Sequence, residues 1–174
     1  EDGLSLATSN TDDLIKTAAL LKEMWEALGA RVDVKIFEIG YLEQNIIRPR
    51  NYDALLFGEV VGHDPDPFSF WHSSQRNDPG LNVALYTNIT VDKILEEART
   101  ISDSAIREEK YRSFQRQIKK DMPAVFLYSP YYLYLLPNWL QGVDIQNIAY
   151  PAERFSQAYK WYATTGYIWK VFAK

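Results

Sequence analysis

Apolar and polar positions change spacing several times along the chain, and each change marks an expected element. Leu4, Leu6 and Thr8 alternate with small or polar residues, and Asn10-Thr11-Asp12-Asp13 then supplies capping oxygens and negative charge, so a strand runs into a helix. Leu14, Ile15, Ala18, Leu21, Trp25 and Leu28 recur at steps of three and four, which predicts an amphipathic helix of about five turns. Gly29 stands where a left-handed residue closes such a helix. Arg31 to Ile36 returns to a period of two with β-branched residues, so strand, helix and strand form a βαβ unit with parallel pairing and a right-handed crossover.

A shorter helix is expected from Tyr41 to Arg48, stopping ahead of Pro49 because the residue before a proline avoids helical conformation. Ala54-Leu55-Leu56-Phe57 is an apolar run of the kind found in a central strand buried on both faces. The segment GHDPDPFSFW, residues 62 to 71, follows it and therefore sits at a strand's carboxyl end, where open α/β sheets form ligand crevices. Residues 73 to 90 read as loop, and apolar spacing predicts helices near 90 to 101 and 104 to 121, the second ended by Pro123. Ala124 to Tyr128 and Tyr131 to Leu136 read as strands around Ser129-Pro130, with only a short helix near 152 to 161 beyond them. No repeat, low-complexity tract or linker interrupts this order, so residues 1 to 174 read as a single α/β unit.

Composition narrows the function classes. A net charge of -4 with scattered Lys and Arg leaves no basic stripe for a phosphate backbone, which argues against nucleic acid. The absence of Cys removes disulfides, thiol nucleophiles and thiolate metal sites together. An aromatic fraction of 14% exceeds what an ordinary core requires and places some rings at a binding surface. The apolar stretch Val125 to Leu136 is too short to span a bilayer, so a soluble piece is expected, and a start at Glu1-Asp2-Gly3 reads as excised from a longer protein.

His63, Asp64, Asp66 and His72 are the candidate metal ligands, but Pro65 and Pro67 hold the backbone extended and make neighbouring side chains diverge. A turn that caps the next helix suits Asp-Pro-Asp-Pro better, and no metal or cofactor is expected. The chain has no G-x-S-x-G elbow, no H-E-x-x-H and no Gly-rich phosphate loop, so a non-enzyme is expected; a small hydrolase-like domain using His63 and Asp64 as acid and base is the alternative. Tyr128, Tyr131, Tyr132 and Tyr134 read equally as a half-buried strand pair or as a ring-lined wall for a small molecule. Trp161, Tyr162, Tyr167 and Trp169 form a possible docking patch, which leaves an interaction module as a third reading.

The order of motifs resembles the C-terminal lobe of the family 5 extracellular solute-binding proteins, the peptide- and nickel-type binding components of ABC importers. Its carriers are Tyr52-Asp53, Gly58, Pro65-Asp66-Pro67, Phe68, Asn82, Tyr86, Asn88 and Asp92, followed by Arg107 to Tyr111, Asp121 to Pro123 and Ala124 to Tyr128. The resemblance implies one lobe of a type II periplasmic-binding-protein-like fold, with a mixed, mostly parallel sheet flanked by helices. It further implies a missing N-terminal lobe, an ABC permease as partner, and a full-length monomer in the periplasm or anchored at the cell surface as a lipoprotein. The solute would be a peptide, an oligosaccharide or a metal chelate.

By the same resemblance the cleft would be lined by Gly58, Glu59, Val60, Val61, Gly62, His63 and Asp64, helped by Asn82, Tyr86, Tyr128 and Tyr131. Backbone groups of Val60 and Val61 would meet the ligand, while Asp66 and Pro67 shape the turn and Asp92 supports the start of its helix. The chain is one residue longer than the family pattern between Tyr52-Asp53 and the turn. The family's Trp therefore falls on Glu59 or Val60, and its amine-holding Asp on Gly62 or His63, with Glu59 or Asp64 as possible substitutes for that acid.

Overall fold

A computed structural model of the chain describes residues 3 to 62, 66 to 145 and 148 to 164. Strand β1 (Leu4–Ser9) leads through helix α1 (Asp12–Ala27) to strand β2 (Val32–Phe37), and the two strands pair in parallel from Leu4 against Val32 to Ser9 against Phe37. The expected βαβ unit is present, and Gly29 takes the left-handed conformation at φ 91° that closes α1. Helix α2 (Ile39–Tyr41) runs into a π-helical stretch, Leu42–Ile47, that ends ahead of Pro49.

Strand β3 (Ala54–Leu55) pairs with Leu6 and Ala7 of β1, giving the order β2, β1, β3. This corrects the expectation of a central strand over residues 54 to 57: the strand is short and lies at the edge of the described sheet, and Phe57 is exposed. Its register is extended by Leu56 N donating to Ala7 O and by the Thr8 hydroxyl donating to Leu56 O. The central place belongs to β1, because one face packs Leu6 with Ala18, Val32 and Leu56, and the other packs Ala7 with Leu42, Ile46 and Ile47.

Helices α3 (Phe68–Trp71), α4 (Ile89–Thr100) and α5 (Ser104–Asp121) form the second half of this unit. Asn88 Oδ1 accepts from Thr90 and Val91 N at the start of α4, and Asp103 Oδ1 does the same for Ala105 and Ile106 N at the start of α5. Trp71, Tyr86, Val91, Leu95, Phe114 and Ile118 make the core between them. Met122 at φ 48° and Pro123 then terminate α5.

The chain divides into two compact units, one made of residues 1 to 59 and 66 to 125, the other of Val60–Pro65 and Phe126–Lys174. No composition break marks the boundary, because the second unit combines two segments far apart in sequence. In it, strands β4 (Leu140–Gln141) and β5 (Tyr162–Ala163) pair antiparallel, and two short 3-10 turns, Pro151–Phe155 and Ala158–Lys160, stand where one short helix was expected. The expected strands Ala124 to Tyr128 and Tyr131 to Leu136 are not formed. Alternation alone does not make a strand: no ladder is present in these residues, and Val125, Tyr131, Leu133 and Leu135 are at least 79% exposed.

Candidate functional site

The Asp-Pro turn acts through Asp66. Its Oδ1 accepts from Phe68 N and starts α3, while its Oδ2 pairs with Arg99 Nε of α4 at 2.8 Å. Arg99 in turn lies 4.1 Å over the Phe68 ring, so the turn, α3 and α4 are locked through one guanidinium. The expected turn-shaping role of Asp66 is what these bonds perform.

His72 stacks on Phe68 with ring centroids 4.1 Å apart, and its Nδ1 accepts from Ser74 N. That bond leaves Nε2 as the protonated nitrogen, which faces Glu96 at 3.3 Å and Asp92 at 3.9 Å. Asp92 does not cap its own helix: its carboxylate accepts from Ser73 N and the Ser73 hydroxyl, anchoring the loop to α4. Among the described residues no cluster of three or more His, Asp and Glu is arranged as a metal site. His63 and Asp64, and with them the acid-base reading and the ligand roles assigned to them, lie outside the described residues, as do Tyr167 and Trp169.

Two of the expected ligand contacts sit elsewhere than foreseen. Asn82 has no exposed surface; its Nδ2 donates to His72 O and Tyr86 O and its Oδ1 accepts from Tyr86 N. Every polar atom of its side chain is used to brace residues 72 to 86, which leaves nothing for a solute. Tyr86 is buried and donates its hydroxyl to Asp121 Oδ2 at the end of α5. The resemblance set these two beside the ligand, whereas burial makes them internal ties.

Gly58 and Glu59 are exposed at the end of the first unit. The Glu59 carboxyl is pushed above its ordinary value by desolvation, an effect that its exposed surface limits. In the second unit Val60 and Val61 are exposed, and Gly62 faces the Tyr150 hydroxyl, which a Cβ on Gly62 would approach to 3.5 Å. Tyr128 and Tyr131 are exposed at 57% and 94%. The second unit thus brings residues 60 to 62 beside the segment that begins at Tyr150.

That segment carries Glu153, Arg154 and Phe155, which no sequence pattern singled out. Glu153 Oε2 accepts from Ala149 N and Tyr150 N, which fixes the Pro151–Phe155 turn and holds Arg154 inward. The Arg154 guanidinium lies 4.5 Å over Phe155 and 5.4 Å over Tyr134, and its Nη1 donates to the Tyr132 hydroxyl and Pro151 O. Tyr132, Tyr134, Phe155 and Trp161 follow one another at centroid spacings of 5.9 to 6.5 Å. The local signal was weak: one Arg in an aromatic-rich stretch, with a Tyr-Pro-x-Glu start.

No protein-family model matches the chain. Among curated proteins it is 31% identical over 126 residues to the oligopeptide-binding protein AppA of Bacillus subtilis, a match covering 72% of this chain and 23% of that protein. It is also 29% identical over 111 residues to the di/tripeptide-binding protein 3 of Pseudomonas aeruginosa, covering 61% of this chain and 21% of that one. The chain therefore spans about a quarter of the length of the curated relatives it matches. The solved structure of the oligopeptide-binding protein AppA of Bacillus subtilis in complex with a nonapeptide superposes with a TM-score of 0.73 and 26% identity, over 93% of this chain and 32% of that one. NikZ of Campylobacter jejuni in complex with Ni(L-His) superposes with a TM-score of 0.67 at 20% identity, over 91% and 32% of the two chains, a likeness of fold. The fold is that of a periplasmic-binding-protein lobe of type II, with the parallel sheet and flanking helices described above.

Proposed function

The chain matches, in sequence and in fold, one lobe of the family 5 peptide- and nickel-type substrate-binding proteins, and from this we propose that it forms half of a solute-capturing cleft in an ABC importer. The observation that carries the proposal is the joint match to one peptide-binding relative, by sequence over 72% of the chain and by structure over 93% of it. Both units belong to this lobe, and the rest of the cleft comes from a second lobe. The whole protein acts outside the cytoplasm, held in the periplasm or at the cell surface, and delivers its solute to a permease.

Within the lobe we assign Gly58, Glu59, Val60, Val61, Gly62, His63 and Asp64 to the solute-facing segment, with Tyr128 and Tyr131 as ring contacts. Val60 and Val61 are exposed, which supports backbone pairing with an extended ligand, a mode indifferent to the ligand's side chains. Asn82 and Tyr86 brace the loop that follows the Asp-Pro turn. A peptide is the solute class that the named relatives favour, since they are an oligopeptide-binding protein and di/tripeptide-binding proteins.

The test is calorimetry on the full-length protein with a pool of short peptides, alongside native mass spectrometry of protein purified from its own source. Peptide binding, or a co-purified peptide, is expected. A full-length protein that takes no peptide, and carries an oligosaccharide or a metal chelate instead, would remove the peptide assignment.

A further inference from the structure

A parallel sheet is ordinarily covered on both faces. Helix α1 covers the Leu6 face of this one, whereas the stretch Leu42–Ile47 covers only part of the Ala7 face. Beside that stretch a concave pocket of about 550 Å³ stays open, with Ala7 and Ile46 in its lining, a size suited to a small molecule. The pocket lies wholly in the first unit, and among the described residues none assigned to the solute-facing segment lines it.

Its walls are held by groups that are already engaged. Arg50, left-handed at φ 59°, donates to the carbonyls of Ile47, Arg76 and Gly80, and the Tyr52 hydroxyl donates to Val83 O. Asp53 Oδ2 accepts from Ser5 N at 2.9 Å and from the Ser5 hydroxyl at 2.7 Å, bonds that hold the carboxyl below its ordinary value and keep it ionised. The rings of Phe37 and Tyr41 stack with centroids 5.5 Å apart. A site restrained in this way needs little ordering when a ligand enters.

The chemistry of the ligand follows from what the lining leaves unspent. The Lys35 ammonium, the Asn51 amide, the Tyr41 hydroxyl and Asp53 Oδ1 make no hydrogen bond or ion pair among the described residues. A ligand of one charge would be attracted by Lys35 or Asp53 and repelled by the other. A neutral molecule rich in hydroxyls accepts from Lys35, donates to Asp53 Oδ1, and does either with Asn51 and Tyr41. Phe37 and Tyr41 offer an apolar wall to the C–H face of such a molecule.

We propose that this pocket is a binding site for a neutral, hydroxyl-rich ring of the sugar class, separate from the solute-facing segment. Lys35, Asn51, Tyr41 and Asp53 supply the polar contacts, and Ala7 and Ile46 form the floor. The site goes beyond the importer reading and does not rest on it.

The test follows the Ile46 δ-methyl resonance of the full-length protein, assigned with Ile46→Val, during titration with glucose, N-acetylglucosamine and maltose. Full-length protein is the proper sample, because polypeptide outside this chain then competes for the pocket as it does in the whole molecule. A saturable shift at roughly millimolar sugar is expected, the scale for an open site that holds about a dozen ligand atoms. Lys35→Met and Asn51→Ala, changes at exposed positions, each weaken binding about 3- to 10-fold and leave the urea midpoint unchanged. A resonance that no sugar moves, or a shift that both variants leave intact, overturns the site. Glucuronate binding more than about tenfold tighter than glucose overturns the neutral assignment. Displacement of the sugar by a peptide pool overturns its separateness, while failure of every peptide to bind bears on the importer reading alone.

Discussion

Asn82 shows how one side chain can decide the shape of a long loop. With its three hydrogen bonds to backbone groups of residues 72 and 86 and no exposed surface, Asn82→Ala leaves those groups buried and unpaired. The expected loss is roughly 2 to 3 kcal/mol of unfolding free energy, read by urea titration with unchanged slope. Asp66 is more exposed and does two smaller jobs, capping Phe68 N and pairing with Arg99. Asp66→Ala is expected to cost about 1 kcal/mol, near the usual value of a lost cap, because the exposed ion pair adds little. Gly80 is required for space: a Cβ there would sit 2.2 Å from Gln75 O, a backbone atom that Asn82 N already uses as acceptor. Gly80→Ala is expected to destabilise by about 1 to 3 kcal/mol, measured in the same titration.

At the scale of elements, the loop ahead of α4 and the end of α5 are joined by Tyr86 and Asp121. The Tyr86 hydroxyl, then the Gln117 and Asn88 amides, hold the Asp121 carboxyl below the ordinary 3.8. Burial first, and then the bond to Asp121, push the Tyr86 hydroxyl above its ordinary 10.0. A lowered carboxyl binds fewer protons folded than unfolded, so its stabilisation is present above the unfolded value and is lost as pH falls through the folded one. A raised tyrosine binds more protons folded, so its contribution is present below the unfolded value and is lost as pH climbs past it. Stability should therefore fall on both sides, and Asp121→Asn should flatten the acid limb below about pH 4 in urea midpoints followed from pH 7 downward. An unchanged acid limb in that variant would show that the tie contributes nothing.

For the whole molecule, the main fact is how much apolar surface one lobe leaves open. Val125, Phe126, Tyr131, Leu133 and Leu135 are each at least 72% exposed, a run that a water-soluble surface rarely carries alone. A ligand pocket normally encloses about 70 to 90% of its ligand, which the half cleft proposed above would not do by itself. Residues 1 to 174 in isolation are therefore expected to bind peptides far more weakly than the full-length protein. Calorimetry showing micromolar or tighter affinity for the isolated chain would contradict this.

Where the chain speaks locally, residues and structure agree. The spacing from Leu14 to Trp25, the positive φ of Gly29, the caps Asn88 and Asp103 and the Asp66 turn depend on near neighbours, and the sequence by itself determined them. The order of motifs also carried the resemblance that the relatives bear out. What depends on distant partners was decided only by tertiary structure. Whether Ala54 to Phe57 or Leu4 to Ser9 is the central strand turns on what covers each face, and whether Ala124 to Leu136 is a ladder turns on a partner strand. The resemblance made Asn82 a ligand contact; burial made it a brace. Arg154 and Trp161 are seven residues apart and share no periodic signal. Only folding sets their unpaired N–H groups around Phe155, because hydrogen-bond satisfaction is a property of three-dimensional surroundings and not of sequence spacing.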